Sequence, residues 1–180
     1  MRRIQAWAIV LSLLAPAGAL AATSALDAMA GDYRRGFQNG NVFGDHYRSV
    51  DTLRIVKLSS DAAYVEAHLE FFNGHSCDIA GVGRMEDSAL VYRTDKTSEV
   101  TAGSCVFGVR IARDAVFLSD DEDHCRAYYC GARGTLEGVT FPLSSRRRVT
   151  GFARLRASDA YKAAMVEYAA KPKPVSPAAP

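Results

Sequence analysis

The sequence predicts an all-β fold, a small antiparallel barrel or sandwich of about seven to eight strands with one C-terminal α-helix. Three observations carry this reading. From Leu53 to Phe141 the chain is dense in Val, Ile, Tyr, Phe and Leu, broken by short polar turns. An Asn-Gly pair, Asn73-Gly74, separates two such runs, and Asn-Gly supplies the positive φ that a two-residue hairpin turn requires. Beyond residue 156 apolar residues recur at helical spacing instead.

The elements follow in order. A chain of 180 residues fits a single domain, which buries about two-thirds of its unfolded surface without help from a metal. Arg2 and Arg3 precede an apolar run from Ile4 to Leu14, and small residues follow; that order is a secretory signal peptide. Ala19-Leu20-Ala21 fits the small-x-small cleavage rule, so residues 1–21 are expected to be removed. The run is shorter than the roughly 20 residues of a membrane span, and no stable membrane insertion after cleavage is expected. Cleavage takes Trp7 and two of the 22 basic residues, leaving a near-neutral mature chain with 20 acidic residues. Nucleic-acid binding, which rests on phosphate neutralisation, thereby loses its main support.

Residues 22–50 read as a loop-rich lead-in with one short strand, because the stretch from Gly31 to Arg48 is rich in Gly, Asn and Asp. The β domain spans 51–156, with strands expected over Asp51–Leu58, Tyr64–Phe72, His75–Arg84, Ala89–Arg93, Cys105–Ala112, Ala115–Ser119, Ala127–Ala132 and Thr135–Phe141. Before Asn-Gly, Val65, Ala67, Leu69 and Phe71 share one face and every member is apolar, so this is the core face. Tyr64, Glu66, His68, Glu70 and Phe72 occupy the other. Arg113-Asp114 reads as a second tight hairpin, and the whole as a meander. Ser158 caps a helix over 157–170, whose Tyr161, Ala164, Met165 and Tyr168 form a stripe that packs on the sheet or across a barrel end. Residues 171–180 hold several Pro and read as an extended, disordered tail.

Four cysteines, Cys77, Cys105, Cys125 and Cys130, in an exported chain point to disulfides. None sits in a Cys-x-x-Cys unit, and His124 beside Cys125 lacks further ligands at fitting spacing, so no metal site is expected. Three pairings are open. A meander brings the start of the strand at Cys105, the residue after the Asn-Gly turn at Cys77, and Cys125 to one end of the sheet. This favours Cys77–Cys105 with Cys125–Cys130 as a local bridge, provided that the stretch from Arg126 to Tyr129 curls.

Motifs for chemistry are missing. Gly74-His75-Ser76-Cys77 lacks the spacing of a nucleophile elbow, and His46, His68, His75 and His124 form no metal motif. Gly131-Ala132-Arg133-Gly134 opens no helix and reads as turn or bulge glycines rather than a phosphate loop. The reading is therefore a non-enzyme with no cofactor, no catalytic residue and no metal ligand. Two charged clusters remain as partner contacts. Asp120, Asp121, Glu122 and Asp123 form an acidic loop suited to a basic protein, or simply a solvated turn. Arg146, Arg147 and Arg148, with Arg154 and Arg156 nearby, suit anionic headgroups, glycan phosphates or an acidic protein, or simply a charged strand edge.

The segment Cys125-Arg126-Ala127-Tyr128-Tyr129-Cys130-Gly131-Ala132-Arg133-Gly134, with Asn73-Gly74-His75-Ser76-Cys77 upstream, resembles the small exported β-barrel domains of lysozyme-inhibitor-like proteins of Gram-negative bacteria. The resemblance covers about residues 30–150. It implies a barrel of about eight strands, stapled by disulfides, without cofactor, that blocks lysozyme by inserting a loop into its cleft. The Ser-Gly-x-x-Tyr pattern of that loop in inhibitors of c-type lysozyme is absent here, and Gly103-Ser104-Cys105-Val106 is not its equivalent. No inhibitory residue is therefore carried over.

The functional expectation is a non-catalytic periplasmic or secreted binding module whose partner is an envelope protein such as a lysozyme, with oligomeric state open. A small-barrel carrier of a lipid or other apolar ligand is the alternative, and a cell-wall hydrolase a more distant one.

Overall fold

The computed structural model describes residues 24–94, 103–130 and 133–171. The expected signal peptide, and all of the tail but Lys171, lie outside the described residues. A short helix α1 (Ala25–Met29) leads into eight strands: β1 (Gly31–Gly40), β2 (His46–Lys57), β3 (Ala62–Glu70), β4 (Ser76–Glu86), β5 (Ala89–Thr94), β6 (Cys105–Ala112), β7 (Ala115–Asp120) and β8 (Thr140–Pro142). Helix α2 (His124–Tyr129) lies between β7 and β8, and α3 (Phe152–Ala157) and α4 (Asp159–Ala170) end the described chain.

Each strand pairs antiparallel with its neighbour in sequence, in the order β1 to β8. The sheet then curls until Asp32 meets Arg147, whose backbones exchange two hydrogen bonds of 2.9 and 2.7 Å. The result is a nearly closed barrel, the predicted all-β meander. Its inward face carries Val65, Ala67 and Leu69 of β3, as the alternation requires, with Phe71 packed at its edge. Tyr33, Leu53, Ile55, Ile79, Tyr92, Phe107, Val109, Leu118 and Phe141 fill the interior, each nearly or fully buried.

A second, smaller core lies outside the barrel wall. Tyr64 points outward from β3, is fully buried, and sets its ring 5.0 Å from that of Tyr161 on α4. Val56, Ala62, Val82, Leu155 and Ala164 join it, with Met165 and Tyr168 packed against them. This is the predicted helical stripe on the sheet, begun by Ser158, whose hydroxyl accepts from the Tyr161 amide at 3.3 Å. The helix also covers a gap. β4 and β5 pair only over Arg84–Glu86 and Ala89–Val91. Beyond that, the Tyr92 ring lies over Gly81 so closely that a Cβ there would sit 2.3 Å from it. The Tyr92 hydroxyl reaches Glu167 of α4 at 3.1 Å and the Tyr129 hydroxyl of α2 at 3.2 Å. Burial first, and the Tyr129 contact second, push its pKa up.

Four expectations are corrected here. Residues 22–50 are not loop-rich: β1 takes ten residues and β2 begins at His46. The alternation was masked because β1 turns Arg35 and Asn39 inward with Tyr33 and Phe37. Arg35 is bound by the fully buried Asp51 at 2.5 Å, and Asn39 donates to Ser49 at 2.9 Å. Ala127–Ala132 is not a strand, since residues 124–129 are helical and 131–132 lie outside the described residues. Thr135–Phe141 shrinks to the three-residue β8. The Asn-Gly turn keeps its positive φ, 61° at Asn73 and 72° at Gly74, but the strands stop at Glu70 and Ser76, so the loop is wider than two residues. Arg113, at φ 56°, closes the expected hairpin onto the Ala112–Ala115 pair.

Candidate functional site at the disulfide-bonded end

In a meander the turns after β1, β3 and β7 share one barrel end, and all four cysteines lie there, as the sequence predicts. Their pairing is different from the favoured one. Cys77 is bonded to Cys130, and Cys105 to Cys125. The stretch from Arg126 to Tyr129 does curl, but into a helix that puts Cys125 and Cys130 about 7.5 Å apart along its axis at ~1.5 Å per residue. They consequently face different neighbours: Cys125 meets the start of β6, and Cys130 the start of β4. These two disulfides mark the chain as one made in an oxidising, non-cytoplasmic compartment. No described helix is long and apolar enough to cross a membrane.

The acidic loop divides in two. Asp120 is buried and accepts the backbone N–H groups of Cys125 at 2.8 Å and Arg126 at 2.7 Å. It therefore holds the first turn of α2 rather than facing a partner. Burial raises its carboxyl pKa, against the two amides that favour the charged form. Asp121, Glu122 and Asp123 are exposed, with Glu122 and Asp123 in left-handed backbone at φ 55° and 60°. The cysteine-flanked segment is explained by the same packing. Arg126 Nε donates to the Gly134 carbonyl at 2.8 Å, and a Cβ on Gly134 would sit 2.5 Å from Cys77 Sγ. Gly134 thus serves neither turn nor bulge; it lets the chain pass over the disulfide.

Beside this staple stands an exposed apolar tip. Phe43 is 86% exposed, Val42 61% and Phe72 49%. Asn41 fixes the first turn: its Oδ1 accepts from the amides of Phe43 at 3.0 Å and Asp45 at 3.1 Å. The Val42 amide donates to Asn73 Oδ1 at 3.4 Å, tying the two turns together, and the Phe72 ring lies against Gly40. Tyr128, 47% exposed, comes from α2 at the same end. Sequence reasoning missed this tip, although Asn41-Val42-Phe43-Gly44-Asp45, two apolar residues inside a polar turn, is a readable signal.

Arg146, Arg147 and Arg148 sit at the opposite end. The structure does not bring them to the acidic loop. Arg146 donates to the carbonyls of Ala28 and Asp27, closing the end of α1 at 2.7 and 3.2 Å.

On the outer wall between the ends, His68 Nδ1 lies 2.6 Å from Asp78 Oδ1, and Ser76 donates to the other Asp78 oxygen at 3.1 Å. The hydrogen bond to Asp78 raises the His68 pKa above 6.5, against partial burial and with help from Glu70. Ser76 meets Asp78 and not the imidazole, so this chain of groups does not activate the hydroxyl. Nearby, Arg54 neutralises both Asp32 at 2.7 Å and Glu66 at 3.7 Å. Among the described residues no group of His, Cys, Asp and Glu is arranged to hold a metal ion. The barrel interior is filled by side chains.

Comparison of the chain with protein-family models, with curated proteins and with solved structures finds no match.

Proposed function

We propose that this chain is a non-catalytic binding module of the periplasm, and that its disulfide-bonded end grips a basic protein partner of the lysozyme type. The observation that carries this reading is the tip of Val42, Phe43 and Phe72, exposed yet tied between two turns, on the same end as the acidic Asp121, Glu122 and Asp123. Rigid aromatic anchors pay little conformational entropy on binding, and they dominate protein interfaces when ringed by polar groups. Acidic residues near the tip attract a cationic partner and speed its approach. The resemblance to lysozyme-inhibitor-like barrels supplies the partner class. The route differs from the family's Ser-Gly-x-x-Tyr loop, which this chain lacks.

The test is association of the oxidised mature chain with purified c-, g- and i-type lysozymes, followed by lysis assays. Binding is expected at micromolar protein or better, weakened about 100-fold by Phe43→Ser together with Phe72→Ser. Replacing Asp121, Glu122 and Asp123 by their amides is expected to slow association most at low salt. No association with any of the three classes at micromolar protein rejects the reading.

A further inference from the structure

The end opposite the disulfides carries a second surface. A groove of about 640 Å³ opens between the start of β1, the end of β2 and the chain leading to α3. Lys57, Arg146, Arg147 and Arg148 line it, together with Leu143 and Phe152 among others, and no carboxylate does. Arg146 and Arg147 spend their side-chain donors on backbone carbonyls, which leaves their charge uncancelled. Among the described residues, no carboxylate lies within ion-pair distance of Arg146, Arg147, Arg148, Arg154 or Arg156. Two nearby acids, Asp27 and Asp32, are held by Lys57 at 2.5 Å and Arg54 at 2.7 Å, and a third, Asp114, accepts the Leu143 amide on its carbonyl at 2.8 Å. Arg148, Arg154 and Arg156 are exposed, and Phe152 beside them is 43% exposed.

We propose that this end docks on the surface of a bilayer that contains anionic phospholipid. The cations are spread over the groove rim and the last turn of α3, where Arg154 lines a neighbouring cleft with Arg54 and Glu66, instead of converging on one point; this matches an array of phosphodiesters better than a single phosphate. An exposed aromatic beside apolar Val149 and Leu143 belongs at the headgroup level, where one side of the ring is wet. The charge complementarity is one-sided, and each cation near such a surface strengthens binding about fivefold. Docking here is peripheral, and it leaves the disulfide-bonded end pointing away from the membrane. It rests on different residues from the partner reading, and either stands without the other.

Co-sedimentation of the full mature chain tests it, using phosphatidylcholine vesicles with and without phosphatidylglycerol. Retention is expected on the anionic vesicles alone and falls as salt rises. Arg148→Glu with Arg154→Glu, both exposed and without a folding role in the packing described above, lowers retention about tenfold or more, whereas Glu122→Gln at the far end leaves it unchanged. Phe152→Trp introduces the single Trp of residues 22–180, and its emission is expected to shift to the blue on anionic vesicles. Equal retention on both vesicle types overturns the proposal, as does full retention of the doubly reversed variant with a native circular dichroism spectrum. Displacement by inorganic phosphate, at an ionic strength where chloride does not displace, replaces the membrane surface by a small phosphate ligand and also overturns it.

Discussion

The two ends of this barrel are held by different physics. At the basic end the strands run into close turns and the wall closes through ordinary backbone pairing, Asp32 with Arg147. At the other end the ladder runs out. Among the described residues, β4 has no strand partner on its β5 side from Ser76 to Gly83, β8 is three residues long, and α2 has six. Both disulfides are found there, Cys77–Cys130 tying that stretch of β4, and Cys105–Cys125 anchoring α2 on β6. Covalent bonds and one buried carboxylate stand where regular hydrogen bonding is missing. Substitutions at the two ends should therefore differ in cost, and they decide whether this contrast is right.

The largest effect is expected from the disulfides. Cys77–Cys130 closes a loop with a sequence separation of 53, and Cys105–Cys125 one of 20. In the chain-entropy account these contribute about 4 and about 3 kcal/mol. Urea unfolding of the paired Cys→Ser variants is expected to rank them in that order, while Arg148→Ala at the basic end stays within about 0.5 kcal/mol of wild type. A basic-end variant as damaging as either pair would refute the contrast. Next comes Asp120→Ala, which strands two amides of α2 in a buried site, at about 3 kcal/mol. Asp120→Asn, which still offers one acceptor, should recover part of that loss.

Gly134→Ala is smaller again, about 2 kcal/mol, because the new methyl group meets Cys77 Sγ at 2.5 Å. The effect is tied to the disulfide. In a Cys77→Ser, Cys130→Ser background the same change should cost much less, and a double-mutant cycle reads the difference. An unchanged cost would mean that the chain at Gly134 is constrained by something other than the bridge.

How much of this was legible depends on whether local and tertiary signals agree. The β3 face of Val65, Ala67 and Leu69, the Ser158 cap and the stripe of Tyr161, Ala164 and Met165 are local patterns that tertiary packing reinforces, and the sequence shows them. β1 hides because its inward face mixes Tyr33 and Phe37 with Arg35 and Asn39, whose partners Asp51 and Ser49 come from another strand. α2 hides because Ala127, Tyr128 and Tyr129 suit a strand as well as a helix, and its first turn is held by Asp120, a residue that reads as surface charge. Missing that helix also cost the disulfide pairing. At the candidate site the acidic residues were legible by composition, whereas Phe43 and Phe72 became a patch only once two turns distant in sequence met.

The smallest effect lies between the ends, on the outer wall. His68 is held by Asp78, with Glu70 beside it at 3.6 Å, and its pKa is higher folded than unfolded. A histidine of that kind stabilises the fold when charged. Its contribution is complete below the unfolded value of about 6.5 and disappears as pH rises through the folded value. Thermal melts across about pH 5 to 9 are expected to show wild type gaining over His68→Gln at the acid side, with the two curves converging at the alkaline side. The imidazole is partly exposed, so the gain is small and shrinks further in salt. Should the acid-side gain persist in the His68→Gln protein, the pH dependence does not come from the His68–Asp78 pair, and its assignment to the outer wall fails.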